Sequence, residues 1–354
     1  MIRLDTYTGD LETLAGFVTS VWQKSYGGKM VFPHWDADFF RWQLRWHDAT
    51  QQLFRIAAYD GSRLIATLLG VSYDYRLGQK TYPGVLWSWL TIDPGSRGQG
   101  LARLLDQERR RRMQLAQKSL IVSFRYLGSK HSLAEHPTAA LKSGQSKFQR
   151  KFGTWVRVLN PAKVSGWSLS SMDAWLARIT APLAGVPEVP TRYRSQIRLI
   201  READLPGCLA LLQKQTAGDA FSQIWTLDTL KAHLLQPGPV TTVVFEEQGE
   251  VRGLICFYIL PHEARTVEPV AFFDIVALEH LSGSARNAMI RGAMREMIAR
   301  GAILAVKPRF GNVPGSLMLG QYYMPRPPES WLVLDPLNEP HFEPFPGRYQ
   351  LIWR

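Results

Sequence analysis

The sequence predicts a mixed α/β (α+β) fold made of two similar halves, each a mixed central sheet flanked by helices. Apolar runs of strand length alternate with amphipathic helical segments along the chain. The order of these segments restarts at Ile197, as an internal repeat would require. Hydrophobic residues make up 45% of the 354 residues, enough to build a sizeable core.

The first half begins with a short strand and two capped helices. Asp10 predicts the start of one helix, and Asp36 or Asp38 that of the next. Asp60-Gly61 predicts a hairpin. The predicted strands are 2–8, 53–59, 63–76, 82–92, 120–124 and 154–159, the last one completing this half. The predicted later helices are 99–117 and 138–147.

The second half repeats this order after a segment rich in Pro, Gly and Ser. The predicted domains are 1–160, a linker at 161–192 with one short helix near 172–179, and 193–354. The predicted strands are 197–200, 240–246, 251–260, 269–278, 302–306 and 331–334. The predicted helices begin after Asp204 and span 226–235 and 284–300.

Charge is distributed unevenly between the halves. Residues 1–190 contain 25 Lys and Arg against 14 Asp and Glu, whereas residues 191–354 contain 17 against 16. The segment 118–163 holds nine basic residues and one acid, Glu135. This excess indicates either a solvated basic surface or a field that attracts a polyanion, such as a nucleotide-bearing cofactor or RNA.

Cysteine content and hydropathy indicate a cytoplasmic protein without a membrane span. The two cysteines, Cys208 and Cys256, suggest neither a disulfide framework nor a cysteine-based zinc site, and we expect no metal. The N-terminal residues lack the apolar core of a signal peptide. No run of 18 apolar residues occurs.

One motif predicts an anion site in the first half. The strand Val85–Ile92 ends at Asp93-Pro94-Gly95, and Arg97-x-x-Gly100-x-Ala102 leads directly into a helical pattern. Glycines let a ligand approach the backbone, and N–H groups at a helix N-terminus favour negative charge. The corresponding loop of the second half, Glu279–Arg286, lacks this pattern, so we expect one working anion site in a duplicated pair.

The stretch Arg97-Gly98-Gln99-Gly100-Leu101-Ala102 resembles the motif of the GNAT superfamily of CoA-dependent N-acyltransferases. The resemblance implies that backbone N–H groups of residues 99–102 bind the CoA pyrophosphate, that residues 90–92 follow the pantetheine, and that Arg97 adds charge. The implied acyl-CoA contacts are Leu90, Thr91, Ile92, Arg97, Gly98, Gln99, Gly100, Leu101 and Ala102.

Most of the chain also resembles the tandem-GNAT architecture of the N-myristoyltransferase family, in which only the first domain binds CoA. The similar stretches are Arg157–Lys163, Phe257–Pro261, Phe310-Gly311 and Tyr322-Tyr323. This match implies that Trp89 and Leu90 supply N–H groups to the thioester oxygen. That family has a long N-terminal segment and a C-terminal carboxylate as base; this sequence lacks the segment and ends in the charged tail 350–354.

Candidate acids and bases for attack of an amine on a thioester are few. Tyr126, just past a strand, could protonate the thiolate or be a structural aromatic, and Ser88 could hold a water. Asp274 interrupts an apolar strand, so it is either a ligand or base for the acceptor amine or the partner of a buried arginine. The further base candidates, which could equally be surface residues, are His131, Glu135 and His136.

Two other residue groups have both structural and functional interpretations. The run Arg109–Arg112 circles its helix, so it is a solvated surface unless some members meet the CoA 3′-phosphate or RNA. Five tryptophans are expected in the core, although together they could line a groove between the halves. They are Trp22, Trp42, Trp46, Trp87 and Trp89.

These features predict an acyl-CoA:amine N-acyltransferase of the EC 2.3.1 type, with acetyl-CoA or a longer acyl-CoA as co-substrate. The acceptor would be an amine-bearing small molecule, a peptide or a protein N-terminus. One alternative is a Fem-type transferase that uses aminoacyl-tRNA, because tRNA would suit the basic first half. Another is a non-catalytic GNAT-like protein that binds RNA or protein.

Overall fold

The computed structural model describes residues 2–126, 148–337 and 347–354, and it has the mixed α/β architecture that the sequence predicts. The predicted helix 138–147 lies outside the described residues. The elements up to residue 158 are β1 (Ile2–Thr6), α1 (Leu11–Tyr26), β2 (Phe32–Pro33), α2 (Ala37–Gln43), β3 (Arg55–Asp60), β4 (Arg63–Leu77), β5 (Lys80–Ile92), α3 (Leu101–Leu115), β6 (Leu120–Tyr126), β7 (Phe148–Phe152) and β8 (Thr154–Val158).

Three short helices connect these elements to the second half. They are α4 (Pro161–Trp167), α5 (Ser171–Ile179) and α6 (Thr191–Arg194). The remaining elements are β9 (Ile197–Leu199), α7 (Leu205–Thr216), β10 (Phe221–Ile224), α8 (Leu227–Leu234), β11 (Val240–Glu247), β12 (Glu250–Glu263), β13 (Val267–Ala277), α9 (Gly283–Ala299), β14 (Leu304–Pro308), α10 (Gly315–Gly320), β15 (Met324–Pro325), β16 (Ser330–Pro336) and β17 (Tyr349–Gln350).

The two sheets share one strand order. The first runs β1-β3-β4-β5-β6-β16-β7, and the second, read from its other edge, runs β9-β11-β12-β13-β14-β8-β15. In each sheet the fourth and fifth strands, β5 with β6 and β13 with β14, pair in parallel. The corresponding hairpins β3–β4 and β11–β12 also have a bulge near the turn, after Ala58 in the first and after Phe245 in the second. The internal repeat is therefore visible in the backbone.

Each sheet contains strands from the other half. In addition to β8 and β16, β10 pairs with β4 of the first sheet and with β17, and β2 pairs with β12 of the second sheet. The sequence predicts that residues 154–159 complete the first sheet, and this is wrong, because β8 pairs with β14 and β15 of the second sheet. Strand β16, from the second half, takes the place beside β6. The chain crosses between the sheets at Gly153, where a Cβ would collide with the carbonyl oxygen of Arg326. Because both segments are equally apolar, their sequences do not reveal which sheet each one joins.

The segment between the halves contains more helix than predicted. The short helix expected near 172–179 is α5. Helix α4 precedes it because Asn160 caps it, accepting a hydrogen bond of 3.2 Å from the backbone N–H of Lys163, and because Pro161 occupies the first helical position. The boundaries at 160 and 193 stay predictions.

The largest apolar cluster extends across both halves. It includes Phe39 and Trp89 of the first half and Leu254, Tyr258 and Ile352 of the second. The tail is therefore packed inside the molecule. No helix among the described residues is long and apolar enough to span a membrane.

Candidate functional site

The candidate site begins where two parallel strands of the first sheet separate. The pairing of β5 with β6 ends at Trp87 and Ser123, although β5 continues to Ile92 and β6 to Tyr126. Beyond Trp87, β5 pairs with β4 on its other side and with no other strand among the described residues. This leaves an opening between β5 and β6 that an extended ligand can enter.

A bulge in β5 lies at the start of this opening. Thr67 pairs with Thr91 and Leu69 with Ser88, so Trp89 and Leu90 stand opposite one residue of β4. Trp89 has a φ of 51°, a left-handed conformation that costs a non-glycine residue about 1–2 kcal/mol. A bulge turns peptide groups away from the sheet ladder, so their N–H groups can bind a ligand oxygen.

The packing around the bulge holds this strained geometry. The Trp89 ring lies 5.4 Å from the ring of Phe40 and 5.9 Å from that of Phe39. The hydroxyl of Thr67 donates a hydrogen bond of 3.2 Å to the Trp89 carbonyl. Leu90, by contrast, is 42% exposed.

The loop after β5 presents a row of backbone donors at the N-terminus of α3. Gly98 and Gly100 have φ values of 79° and 75°, which only glycine adopts without strain. Gly100 caps α3 without a side-chain hydrogen bond. Within the described part of the chain, none of the N–H groups of residues 98–102 donates to a protein acceptor. Residues 98–100 are exposed, so these donors are available to an anion.

Two arginines near this helix end have different roles. Arg97, predicted to add charge to the site, donates hydrogen bonds to the Ser25 hydroxyl (2.6 Å) and to the Ile92 carbonyl (3.2 Å), so it ties the loop to α1. Arg103, which the sequence analysis did not single out, is exposed in the first turn of α3 and has no partner among the described residues. The helix dipole disfavours a cation there, so an anion would relieve it.

In the arginine run on α3, Arg112 is buried and Arg109 and Arg110 are partly buried, so its interpretation as a solvated surface is wrong. Only Arg111 is well exposed, with 59% of its side chain accessible. Arg110 pairs with the buried Asp335 of β16 at 2.6 Å. Arg112 is 3% exposed and lies between α3 and β1. These contacts arise because the helix packs on the sheet over a wide face.

Tyr126 and Ser88 flank the opening. Tyr126 ends β6, is 38% exposed, and has a pKa raised mainly by burial of its hydroxyl, so it stays protonated at neutral pH. The Ser88 hydroxyl is buried and has no hydrogen-bond partner in the described residues. An unsatisfied buried hydroxyl costs about 1–3 kcal/mol, so a ligand or a water at this point would stabilise it.

Asp274 lies on β13, the strand that corresponds to β5 in the second half. The pairing of β12 with β13 shifts between Cys256 and Phe257, which makes Asp274 the extra residue of a bulge. Its fully buried carboxylate accepts hydrogen bonds of 2.7 and 2.8 Å from the two terminal nitrogens of Arg354. The Nε2 atom of His233 lies 2.6 Å from the same carboxylate. An arginine partner for Asp274 is thus present.

The network around Asp274 joins both halves and the tail. The guanidinium carbon of Arg354 lies 5.1 Å from the ring centres of both Trp42 and Tyr258. Trp42, from α2 of the first half, donates a hydrogen bond of 2.9 Å to the His233 carbonyl. Burial acts to raise the pKa of Asp274, but the charge of Arg354 outweighs it and holds that pKa below its usual range.

The network around Asp274 also shifts the pKa of His233, but there the effect of burial is the larger one. Burial lowers the pKa of His233 more than the charge of Asp274 raises it, so the imidazole is neutral at pH 7. His233, Cys256 and Asp274 could offer metal ligands, since their donor atoms lie within 4.8 Å of one another. Arg354, however, donates to both Asp274 oxygens and would repel a cation, so this set fits an ion pair better than a metal.

The structure thus brings most of the predicted acyl-CoA residues together at the end of β5 and the start of α3. It places Asp274 in a separate buried network, while His131, Glu135 and His136 lie outside the described residues. Sequence reasoning missed His233 and Arg103. The sequence gives no clear signal for Arg103, because Asp106 follows three residues later and only the structure shows that this acid pairs with Arg109 and Arg110. The surroundings of His233 form only on folding.

Comparisons with known proteins identify the fold. Two structures of Saccharomyces cerevisiae N-myristoyltransferase with bound myristoyl-CoA match 94% and 95% of this chain and 82% and 78% of their own, with TM-scores of 0.75 and 0.73 at 13% and 14% identity. A GCN5-related N-acetyltransferase from Anabaena variabilis matches 94% of this chain and 72% of its own, with a TM-score of 0.52 at 12% identity. No protein-family model and no curated protein sequence matches. The chain therefore has an N-myristoyltransferase-like fold of the GNAT type, with a mixed sheet in each of its two lobes.

Proposed function

We propose that this protein is an acyl-CoA-dependent N-acyltransferase that transfers an acyl group to a primary amine. The observation that carries the proposal is the row of unpaired N–H groups at residues 98–102, directly beside the opening between β5 and β6. A diphosphate fits such a helix N-terminus because several donors and the helix dipole converge on it. Arg103 adds a charge at the same end of α3.

The donor lies along β5 in this proposal. The pyrophosphate binds the N–H groups of residues 99–102, and the pantetheine follows the free edge of Leu90, Thr91 and Ile92 into the opening. The thioester then reaches the bulge at Trp89 and Leu90. The titles of the matched yeast structures name myristoyl-CoA, which supports a CoA thioester as donor, whether acetyl or longer.

Direct attack on the thioester needs few groups. The N–H groups at Trp89 and Leu90 stabilise the negative charge that develops on the thioester oxygen. The amine nitrogen bonds to the carbonyl carbon, the C–S bond breaks, and Tyr126 gives its proton to the departing thiolate. The amine proton passes through a water held by Ser88 to the solvent, and Tyr126 regains a proton from the solvent, so no net proton is gained or lost. Asp274 enters the proposal as the residue that fixes Arg354, because both of its oxygens are already engaged.

The acceptor is an amine-bearing small molecule, a peptide or a protein N-terminus, and it enters between the two lobes. Aromatic side chains of both lobes meet there, since the Phe124 ring stacks on Phe310 at 6.4 Å and the Phe39 ring lies 5.9 Å from that of Tyr258. An aminoacyl-tRNA donor has no comparable support, because the matched structures are acyltransferases whose titles name myristoyl-CoA or N-acetyl transfer.

Calorimetric titration with CoA tests the donor site. We expect Gly100→Glu to weaken CoA binding by at least about 100-fold, because it adds a repelling charge and forces a left-handed φ on a residue with a side chain. Gly283→Glu, at the first position of α9 in the second half, is the matched control and should bind CoA like the natural protein. Equal affinity of the two variants, or no CoA binding by the natural protein, would exclude the proposal.

Release of free CoA from acetyl-CoA or a longer acyl-CoA, measured against a panel of amines, separates an enzyme from a binding protein. We expect Tyr126→Phe to slow turnover while leaving the affinity for CoA unchanged, since the hydroxyl acts on the departing thiolate. CoA binding without turnover of any thioester would favour the non-catalytic alternative.

A further inference from the structure

A crevice between the long helix and the first strand is filled in the first half. Arg112 of α3 is 3% exposed there. Its Nη1 donates hydrogen bonds of 2.9 Å to the Thr6 hydroxyl and to the Leu53 carbonyl. Its Nε donates one of 2.7 Å to Glu108. The Glu108–Arg112 pair therefore occupies the space that separates α3 from β1.

The second half lacks both members of this pair. Buried positions of α3 match positions of α9 that lie 184 residues later: Leu101 with Ala285, Leu105 with Met289, and Met113 with Met297. At this spacing Glu108 corresponds to Gly292 and Arg112 to Glu296. Ile197 of β9 packs directly against Gly292, where a Cβ would lie 2.8 Å from the Ile197 Cγ2, and Glu296 pairs with Arg300. Beside this contact, a cavity of about 330 Å³ lies between α9, β9 and β11.

The floor of this cavity is apolar. It is formed by Ile197 and Leu199 of β9 and by Val243 of β11. Leu199 is 48% exposed, so apolar surface there is in contact with water. An apolar ligand group that covered it would gain about 25 cal/mol for each Å² removed from water.

The rim of the cavity carries the arginines Arg194, Arg198 and Arg295 and the acid Glu296, which pairs with Arg300. Arg198 is held by Asp204 at 2.7 Å and by Glu246. Arg194 pairs with Glu188 at 3.2 Å, but both side chains are more than half exposed, and such pairs contribute little. Arg295 lines the cavity and makes no hydrogen bond or ion pair within the described residues.

We propose that this cavity binds a small amphiphilic monoanion, with an aliphatic chain over the β9–β11 floor and a carboxylate on Arg295. A cavity of about 150 Å³ holds benzene, so 330 Å³ corresponds to about 13 non-hydrogen atoms, the size of a medium-chain fatty acid. The inference does not depend on the proposed acyl transfer, because its residues lie on α9, β9 and β11.

Titration of the full-length protein with octanoate, followed by ligand-observed NMR, tests the proposal. We expect saturable binding of octanoate and binding of 1-octanol that is at least about 10-fold weaker, because a hydrogen bond to a charged group is lost. Octylammonium should not bind. Arg295→Gln, at an exposed position, should weaken octanoate binding by about 10-fold or more. Leu199→Glu should abolish it by placing a like charge on the floor.

Arg111→Gln is the matched control. Arg111 corresponds to Arg295 at the same spacing of 184 residues, but it borders the filled crevice of the first half. We expect it to bind octanoate like the natural protein. Equal binding of octanoate and 1-octanol, unchanged binding by Arg295→Gln, or absence of octanoate binding would each overturn the proposal.

Discussion

The two lobes differ in the loop that follows the corresponding strand, which is β5 in the first lobe and β13 in the second. In the first lobe, the loop after β5 leaves the N–H groups of residues 98–102 without acceptors among the described residues. In the second, Ser282 caps α9 by accepting a hydrogen bond of 3.3 Å from Ala285, and Arg286 donates to the carbonyls of Glu279 and Leu281. The second loop thus satisfies its polar groups internally and carries the acid Glu279, so it does not suit an anion.

The opening between β5 and β6 and the corresponding opening between β13 and β14 differ in the same way. The pairing of β13 with β14 ends at Phe272 and Val306, and Asp274 lies beyond it. Arg354 of the tail occupies that region, held by Asp274, and Trp353 packs on Phe272. The duplicated backbone is therefore preserved in both lobes, while side chains of the second lobe fill the space that the first leaves to a ligand.

The largest expected effect concerns the network that fills the second opening. Asp274→Asn should lower the free energy of unfolding by about 3–5 kcal/mol, because Arg354 would remain buried without a counter-charge. Urea denaturation measures this loss. The control Asp5→Asn removes an exposed partner of Arg3 and should cost less than about 1 kcal/mol. A loss for Asp274→Asn as small as that of the control would contradict a structural role for the pair.

As the pH falls, the second lobe should begin to lose stability at a higher pH than the first. Burial lowers the pKa of His262 from 6.5 to about 4, and that of His233 shifts in the same direction. Both groups bind protons more readily when unfolded, so stability is lost as pH falls from about 6.5 towards 4. The loss reaches about 3 kcal/mol for His262.

Hydrogen exchange at pH 7 and pH 5 detects this difference between the lobes. Among the described residues of the first lobe, His34 and His47 are not buried, so the amides of β3 and β4 should change less than those of β12 and β13. In His262→Phe the difference should shrink. Equal acceleration of exchange in the two sheets would contradict the prediction.

A smaller effect is expected from the charge at the N-terminus of α3. Arg103→Glu should weaken CoA binding by about 10-fold at low salt and by less at high salt, because a surface charge is screened. Calorimetry at two ionic strengths measures the change. Arg252→Glu, which alters an exposed ion pair of the second lobe, should leave CoA binding unchanged. The same loss in both variants would indicate that only overall charge matters.

The smallest effect concerns the strained bulge of β5. Thr67→Val removes the hydrogen bond to the Trp89 carbonyl, and we expect a loss of about 1 kcal/mol in stability with a several-fold decrease in turnover. Thr242→Val removes a buried hydroxyl that donates to Leu234 in the second lobe. It should cost similar stability without changing turnover. A decrease in turnover in both variants would indicate that turnover depends on the overall stability of the protein and not on the geometry of the β5 bulge.

Features specified by neighbouring residues were predictable from the sequence. The strand, glycine loop and helix at 85–115 follow from an apolar run, two glycines and a helical repeat in one short stretch. Asp60-Gly61 identified a hairpin, and α5 was expected almost where it lies. Local chemistry was sufficient in these cases because the hydrogen bonds involved are local.

Features specified by distant residues were not predictable. Asp274 was recognised as unusual, yet its partner Arg354 lies 80 residues away in the chain. The burial of Arg112 depends on Thr6 and Leu53, which its own helix does not reveal. Likewise, the exchange of β8 and β16 depends on which apolar edge each strand meets during folding. The hydrophobic pattern within a single segment does not show which distant strand that segment pairs with.

The exchanged strands have a mechanical consequence. β16 is laddered to β6 along its whole length, and β8 is laddered to β14, so each lobe grips a strand of the other. Moving residues 1–160 and 193–354 apart as rigid bodies would break both ladders. The two halves of the sequence are therefore held together by backbone hydrogen bonds of β8 and β16 as well as by side-chain packing.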